Sequence, residues 1–570
     1  MFSKVVKKLN TDTGMYIIIS FLSAIVFCLI YGIKVINPTY TDWLLSGGDL
    51  SQHYLGWKAY RSSSWHFPIG MSDTLAYPNQ TSIIFTDSIP IFAVFFKLLS
   101  PILPAEFQYF GIWGIMCFVL QGIFSARIIK KYSFNRVITI ISSMLFTCVP
   151  IVILRMYAHT ALAGQWIIIF ALDLIFNSEK YRNKKRVYST VTIMGILVAS
   201  IHMYFVLMCG IILAGYMLNE LLEYKDIKRC LIVLLDYLLS VVIIISLLGG
   251  FSSGMQADNA GLGVYSFNLN GFFNPQGWSN IYKDLTLCGT GQYEGFAYLG
   301  AGCIILMIFA IISFVSNINL LTYLKNNWKV LISLFTVLII SVVLALSPTV
   351  TLNSRVIVAL KLPHIVFVIW SVFRASGRVV WTVNYIIMLT SVIVLLKTVN
   401  KSAVYIVCSL AVIIQFYDLH SILLQKNMQF NKVNRYNSVL TTKDFWDCLA
   451  DNKEVKHVEY YSEFNEMANF YYSITDWALS NGKTVSDFYF ARPLDSVKVS
   501  REKAFSELSN DTIFIFTEEE KANCLKYNLH YYEVDGIIVG CPHKIGDFEE
   551  MKKSDFTINC TFWSDERKCA

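Results

Sequence analysis

The sequence predicts a polytopic α-helical membrane protein of about eleven transmembrane helices, followed by an extracytoplasmic α/β domain at the carboxyl end. Three observations carry that reading. Hydrophobic residues make up 55% and charged residues 15% of the 570, with a mean hydropathy of +0.51. Soluble domains carry about 25% charged residues, so a soluble enzyme of this size is excluded, and so is a disordered chain. The apolar residues fall in runs long enough to cross hydrocarbon. The connections between alternate runs are basic, as cytoplasmic loops are. The net charge of +7 therefore reports sidedness, and no nucleic-acid partner is expected.

Lys4, Lys7 and Lys8 precede an apolar run from Met15 to Ile36. It is longer than a signal-peptide core and no small-residue cleavage site follows, so it reads as a signal anchor with residues 1–14 in the cytoplasm. Residues Asn37–Thr86 are too rich in Gly, Ser, Asp and Pro to lie in lipid. Ile89–Ile102 is apolar but short, and Pro90, Pro101 and Pro104 bracket it, which suits an interfacial helix. The further runs are Phe107–Ile129, Val137–Leu154, Ala161–Phe176, Val187–Ile201, Phe205–Leu222, Cys230–Leu248, Phe296–Val315, Val330–Leu346, Val379–Leu396 and Ala403–Tyr417. Threaded alternately from an inside amino terminus, they place Lys130–Arg136, Glu179–Arg186, Glu223–Arg229, Lys325–Lys329 and Lys397–Lys401 in the cytoplasm, and every one is basic. Counting Ile89–Ile102 as a span would put all of them outside. Val187–Leu222 has basic ends and is too long for one crossing, so it crosses twice with a tight outer turn near His202.

This divides the chain into a cytoplasmic segment 1–14, a membrane domain 15–424 with outer loops 37–106, 249–295 and 347–378, and an outer domain 425–570. In the last, charge rises and short β-branched or aromatic runs appear at His457–Tyr461, Thr484–Phe490, Thr512–Phe516 and Tyr532–Val539. Helical patterns lie at Thr442–Ala450, Glu463–Leu479 and Arg501–Leu508. Cys448, Cys524, Cys541, Cys560 and Cys569 allow up to two disulfides, and no spacing suggests zinc.

The outer segments hold most of the chemistry. Gly47 and Gly48 permit a sharp turn as the chain leaves the bilayer, after which Asp49 or Ser51 can cap an interfacial helix. Asp49 and His53 would share one face of it. Asp87 opens the second interfacial helix. Arg155 and His159 sit together at an outer turn. Asn268, Asn270, Gln292 and Tyr293 suit sugar hydroxyls, which take planar donors and acceptors and stacking faces. Glu294 stands directly before an apolar span, where a carboxylate without a purpose is costly. Arg374 and Arg378, one turn apart, form a fork for a phosphate near the headgroups. Asp173 and Asp236 lie near the cytoplasmic ends of their spans. A carrier places ionisable groups near mid-bilayer, so the pattern points to a cleft at the outer surface.

Gly47-Gly48-Asp49, Thr86-Asp87-Ser88-Ile89-Pro90, Gln292-Tyr293-Glu294-Gly295 and Arg374-Ala375-Ser376-Gly377-Arg378, with the order of spans and interfacial helices, resemble the class C (GT-C fold) integral-membrane glycosyltransferases, closest to an uncharacterised bacterial branch. The resemblance covers about Met15 to Tyr417 and implies a GT-C-like bundle in the plasma (inner) membrane. It also implies a polyprenyl-phosphate-linked sugar as donor, an envelope glycan or glycolipid as acceptor, and Asp49 as catalytic base. His53, Asp87 and Glu294 would support or orient the acceptor, and Arg155, His159, Arg374 and Arg378 would bind phosphate. Leu50 stands where better-known members often have a second acid, and Asp87-Ser88-Ile89-Pro90 where they often have Pro-Pro. A phosphate leaving group needs one base and nearby cations, so no cofactor is required. A single base implies inversion at the anomeric carbon. A divalent metal could lie between Asp49, Asp87 and Glu294, although no ligand spacing demands one. The alternatives are a transporter or flippase of lipid-linked glycans and a non-catalytic envelope assembly protein.

Overall fold

The computed structural model describes residues 11–252, 261–317, 320–432, 436–465, 468–492 and 494–556. Lys4, Lys7, Lys8, Cys560 and Cys569 lie outside the described residues. Two compact units emerge: Met1–Trp43 with Ile102–Ser246 and Ala257–Asn434, and Leu44–Pro101 with Leu247–Gln256 and Arg435–Ala570.

The first unit is a helical bundle. Among the described residues, seven helices of the chain are long and apolar enough to cross a membrane: Asp12–Tyr31, Phe110–Ile129, Met203–Tyr224, Ile227–Leu247, Lys325–Leu346, Ser376–Thr398 and Lys401–Asn431. Shorter apolar helices run over Arg136–Thr147, Thr160–Phe176 and Ala301–Ser316. Lys184–Ile201 is also helical. The outward faces are as apolar as the core, with Leu231, Leu235, Leu238, Phe335, Ile339 and Val343 all exposed. That pattern fits lipid and not water, and the chain is a multi-pass membrane protein.

Two details depart from the runs read in the sequence. Val137–Leu154 is not one helix: it stops at Thr147 and resumes as Pro150–Arg155, because proline has no N–H to give and is accepted only at a helix start. The final run does not stop at Tyr417; the helix continues to Asn431. The turn at His202 is as expected. His202 lies between two helices in extended backbone, and its Nδ1 accepts from Tyr204 N at 3.2 Å.

The second unit is built on a five-stranded sheet in the order Thr484–Val485, His457–Tyr460, Thr512–Thr517, Ile537–Cys541, His530–Val534. The first three strands are parallel and the last two antiparallel. Helices Lys443–Asp451, Asn469–Ser480 and Asp495–Glu507 accompany it. The run Tyr532–Val539 is not one strand. It folds into a hairpin at Asp535 (φ +52) and Gly536 (φ +78), the dipeptide that suits a two-residue turn. Cys448, Cys524 and Cys541 are free thiols.

The sequence groups residues 37–106 with the membrane domain, and the fold divides them. Residues 44–101 pack with the sheet because their backbone extends its edge. Val485 N donates to Thr74 O at 2.9 Å and Tyr77 N to Val485 O at 3.0 Å, while Ala491 N donates to Phe85 O at 2.9 Å. Lys58 Nζ pairs with Asp476 at 2.7 Å, and Gln52 Nε2 donates to Tyr489 O at 2.8 Å. The helix Gly48–Ser62 is thereby fastened to the carboxyl-terminal part of this unit through Gln52 and Lys58.

Candidate functional site

Within the second unit, Gly47 (φ +93) and Gly48 (φ +59) turn the chain into the helix Gly48–Ser62. Neither Asp49 nor Ser51 caps it. Gly47 holds the N-cap position without a side-chain bond, and Ser51 Oγ accepts from Gly47 N at 2.8 Å. Asp49 lies in the first turn, where the helix dipole favours a negative charge, and is half-buried. One turn on, His53 is fully buried, with Nε2 at 3.3 Å from Asp87 Oδ2.

Asp87 is held by an unusual backbone. Asp87 (φ +54) and Ile89 (φ +53) are both left-handed. Aspartate tolerates this, but for a buried β-branched residue such strain costs about 1–3 kcal/mol. The surroundings enforce it: Ser88 Oγ donates to His53 O at 2.7 Å and lies 2.9 Å from Thr86 Oγ1. Gly56 permits this approach, since a Cβ there would come within 2.5 Å of Thr86 Cβ and 2.7 Å of Ser88 Oγ. Pro90 then starts the helix Pro90–Leu98, nine residues long and too short to cross.

A different cluster lies in the bundle. Glu294, in a 3-10 turn over Thr290–Gly295, is 3% exposed. Its Oε2 accepts from Arg155 Nη2 at 2.5 Å and from Arg378 Nε at 2.8 Å, and its Oε1 accepts from Arg378 Nη2 at 2.9 Å. His159 Nε2 is 3.7 Å from Oε1. Burial works against the charge of Glu294, but Arg378 and Arg155, helped by His159, outweigh it and hold the carboxyl far below the usual range. The guanidinium groups also stack on aromatic faces, Arg155 on Trp381 and Arg378 on Tyr204. Two guanidinium groups face one carboxylate, which leaves an excess positive charge. Arg155 Nε is buried with no hydrogen-bond partner among the described residues. Arg374 is half-buried.

Gly377 is needed here, because a Cβ would come within 2.7 Å of Gly295 Cα; backbone contact at that point brings Arg378 to Glu294. The strand of chain after Glu294 is fixed by two helices. Trp381 Nε1 donates to Phe296 O, Asn384 Nδ2 to Ala297 O and Gln415 Nε2 to Leu299 O. Asp418 accepts from Tyr298 OH at 2.7 Å and Ala301 N at 2.9 Å. Sequence reasoning missed Asp418 and Gln415. The signal was an acid following an apolar run with no helix breaker between them.

Three residues expected to meet sugar do something else. Asn268, Asn270 and Gln292 are buried. Asn268 Nδ2 donates to Gln292 Oε1, Gln292 Nε2 to Thr351 Oγ1, and Asn270 Nδ2 to Asn353 Oδ1. Their amides hold the loop, since a buried backbone excursion needs such partners. Tyr293, half exposed, presents its ring. Both oxygens of Glu294 accept from guanidinium groups. Among the described residues, neither Asp49 nor Glu294 belongs to a cluster of three metal-capable side chains.

The chain belongs to the family described as "Domain of unknown function (DUF6311)", whose model matches residues 20–420. Residues 445–542 match the DUF6311 C-terminal domain. No curated protein matches the sequence. The chain is similar to the Archaeoglobus fulgidus oligosaccharyltransferase in two crystal structures, each at 12% identity and a TM-score of 0.47. For the apo form 89% of this chain and 70% of that chain are covered. For the form tethered with an acceptor peptide containing the NVT sequon, 93% and 74% are covered.

Proposed function

We propose that this chain is an inverting glycosyltransferase that moves a sugar from a polyprenyl-phosphate donor to an envelope glycan or glycolipid at the outer face of the plasma membrane. The observation that carries the reading is the strained turn at Asp87, whose carboxylate sits beside buried His53 one helical turn from Asp49. Strain of this kind persists only where the surroundings enforce it, and it collects at functional sites. In the proposed step Asp49 takes the proton of the acceptor hydroxyl. The acceptor oxygen forms a bond to the anomeric carbon as the bond from that carbon to the phosphate oxygen breaks. The electron pair leaves with the phosphate, and the configuration inverts. His53, oriented by Asp87, holds the acceptor. By itself, the excess positive charge of Arg155 and Arg378, with His159 and Arg374, suits the binding of a phosphate. The step needs no cofactor.

The test is Asp49→Asn in the purified full chain, with a polyprenyl-phosphate sugar as donor. Turnover is expected to fall by about 10²–10⁴-fold. Gly47 is the N-cap and Asn keeps the size of Asp, so Asp49→Asn should leave the unfolding temperature nearly unchanged, while Asp49→Ala should fold and lose turnover alike. Transfer at the parent rate by either variant removes Asp49 from the mechanism. The orientation is tested separately: a cysteine at Lys184 should be shielded from an impermeant thiol reagent in intact cells, and one at Asn510 should react.

A further inference from the structure

The segment 347–375 joins two membrane-crossing helices, Lys325–Leu346 and Ser376–Thr398. Its two ends are therefore tied to one membrane surface. It folds as an antiparallel hairpin of Thr349–Leu352 and Arg355–Ala359, then a helix over His364–Ser371. The first strand is anchored to protein. Leu269 N donates to Thr351 O at 3.0 Å, and Asn353 N donates to Asn268 Oδ1 at 3.0 Å. The second strand and the helix are not covered in this way.

Every residue of Arg355–Ala359 is exposed. Side chains alternate between the two faces of a strand, so Val356 and Val358 show on one side and Ile357 on the other. Leu360, Ile365, Val366, Val368, Ile369 and Val372 continue the exposed apolar surface around the helix. Nine large apolar side chains exposed within residues 356–372 are more than a surface facing water normally carries. The preceding span also exposes Phe335, Ile339 and Val343. The segment contains Arg355, Lys361 and Arg374 and no Asp or Glu. The free edge of the Arg355–Ala359 strand needs hydrogen-bond partners, which the hydrocarbon centre lacks and the headgroup and ester layer supplies.

We propose that residues 355–372 are inserted into one leaflet of the bilayer, with the strand at the ester layer, the helix against acyl chains, and Arg355 and Lys361 on anionic headgroups. The proposal rests on the multi-pass fold and not on the glycosyltransferase reading.

The experiment uses the unmodified full chain in vesicles of phosphatidylglycerol and phosphatidylethanolamine that contain a phospholipid with a photoreactive diazirine on its acyl chain. After illumination, lipid adducts are mapped by peptide mass spectrometry. Adducts on peptides covering 355–372, at yields within about threefold of those on the Lys325–Leu346 span, are expected. Peptides holding exposed Val499 and Leu525 of the outer domain should carry none. A water-soluble carbene reagent should give the reverse pattern. Unlabelled 355–372 beside labelled spans would overturn the proposal, as would cross-links from this segment to a second copy of the chain. Neither outcome depends on donor, acceptor or turnover, so it stands or falls apart from the Asp49 test.

Discussion

The Asp87 turn and the Glu294 cluster each hold a carboxylate at a defined point, by opposite means. At Asp87 the backbone carries the cost: two left-handed residues flank Ser88, and hydroxyl bonds and the missing side chain of Gly56 keep them there. At Glu294 the charge carries it: the carboxylate is buried and survives because two guanidinium groups bond it directly. The first arrangement leaves a half-buried acid beside a histidine, a geometry suited to handling protons. The second locks its acid and leaves surplus positive charge, a geometry suited to an anion. A carboxylate's surroundings, and not its position before an apolar span, decide which role it can take.

That contrast gives ordered expectations. The largest effect is on turnover with stability intact, for Asp49→Asn, measured as stated above. Asp87→Asn keeps the tolerance for a left-handed backbone and should lower turnover by a smaller factor, again without loss of stability; a variant that unfolds instead would make Asp87 a structural residue like Glu294. Glu294→Gln should do the opposite and destabilise by about 3–5 kcal/mol, because it leaves two buried guanidinium groups uncompensated. Thermal unfolding in detergent reads this, and an unchanged midpoint would break the distinction. Arg378→Ala removes a charge-assisted contact and should weaken binding of the donor lipid by about 1–3 kcal/mol. Equal affinity in a folded variant would limit Arg378 to holding Glu294.

The smallest effect concerns a third buried acid. Glu459, in the second unit, is raised from 4.5 to about 7 by burial, since Ser486 and Arg501 compensate only in part. Arg501 is bonded to Asp487 at 2.7 Å. Between those two values the unfolded chain has released the proton that the folded chain keeps. Stability therefore falls as pH rises from about 4.5 to about 7 and is level above that. Glu459→Gln should remove this share of the slope, matching the parent near the lower value and unfolding at a higher temperature at about pH 8. Parallel pH profiles for the two proteins would show that Glu459 ionises freely.

The sequence by itself determined the helical membrane architecture, the break at His202, the short helix that ends at Leu98, and two strands of the second unit, His457–Tyr460 and Thr512–Thr517, near their true limits. Those features follow from apolar period, proline and loop charge, all of them local. The Asp535-Gly536 hairpin was equally local and was missed by reading Tyr532–Val539 as one run. The polar residues of the outer segments, from Asp49 to Arg378, were also legible one by one as candidates. Only the tertiary structure decided what each does. It paired Glu294 with Arg155 and Arg378 across 139 and 84 positions of chain, turned Asn268 and Gln292 inward, and joined residues 74–77 to the edge of a sheet 408 positions away. A buried charge or amide takes whichever partner the packing brings within hydrogen-bond distance, and no property of the residue itself names that partner.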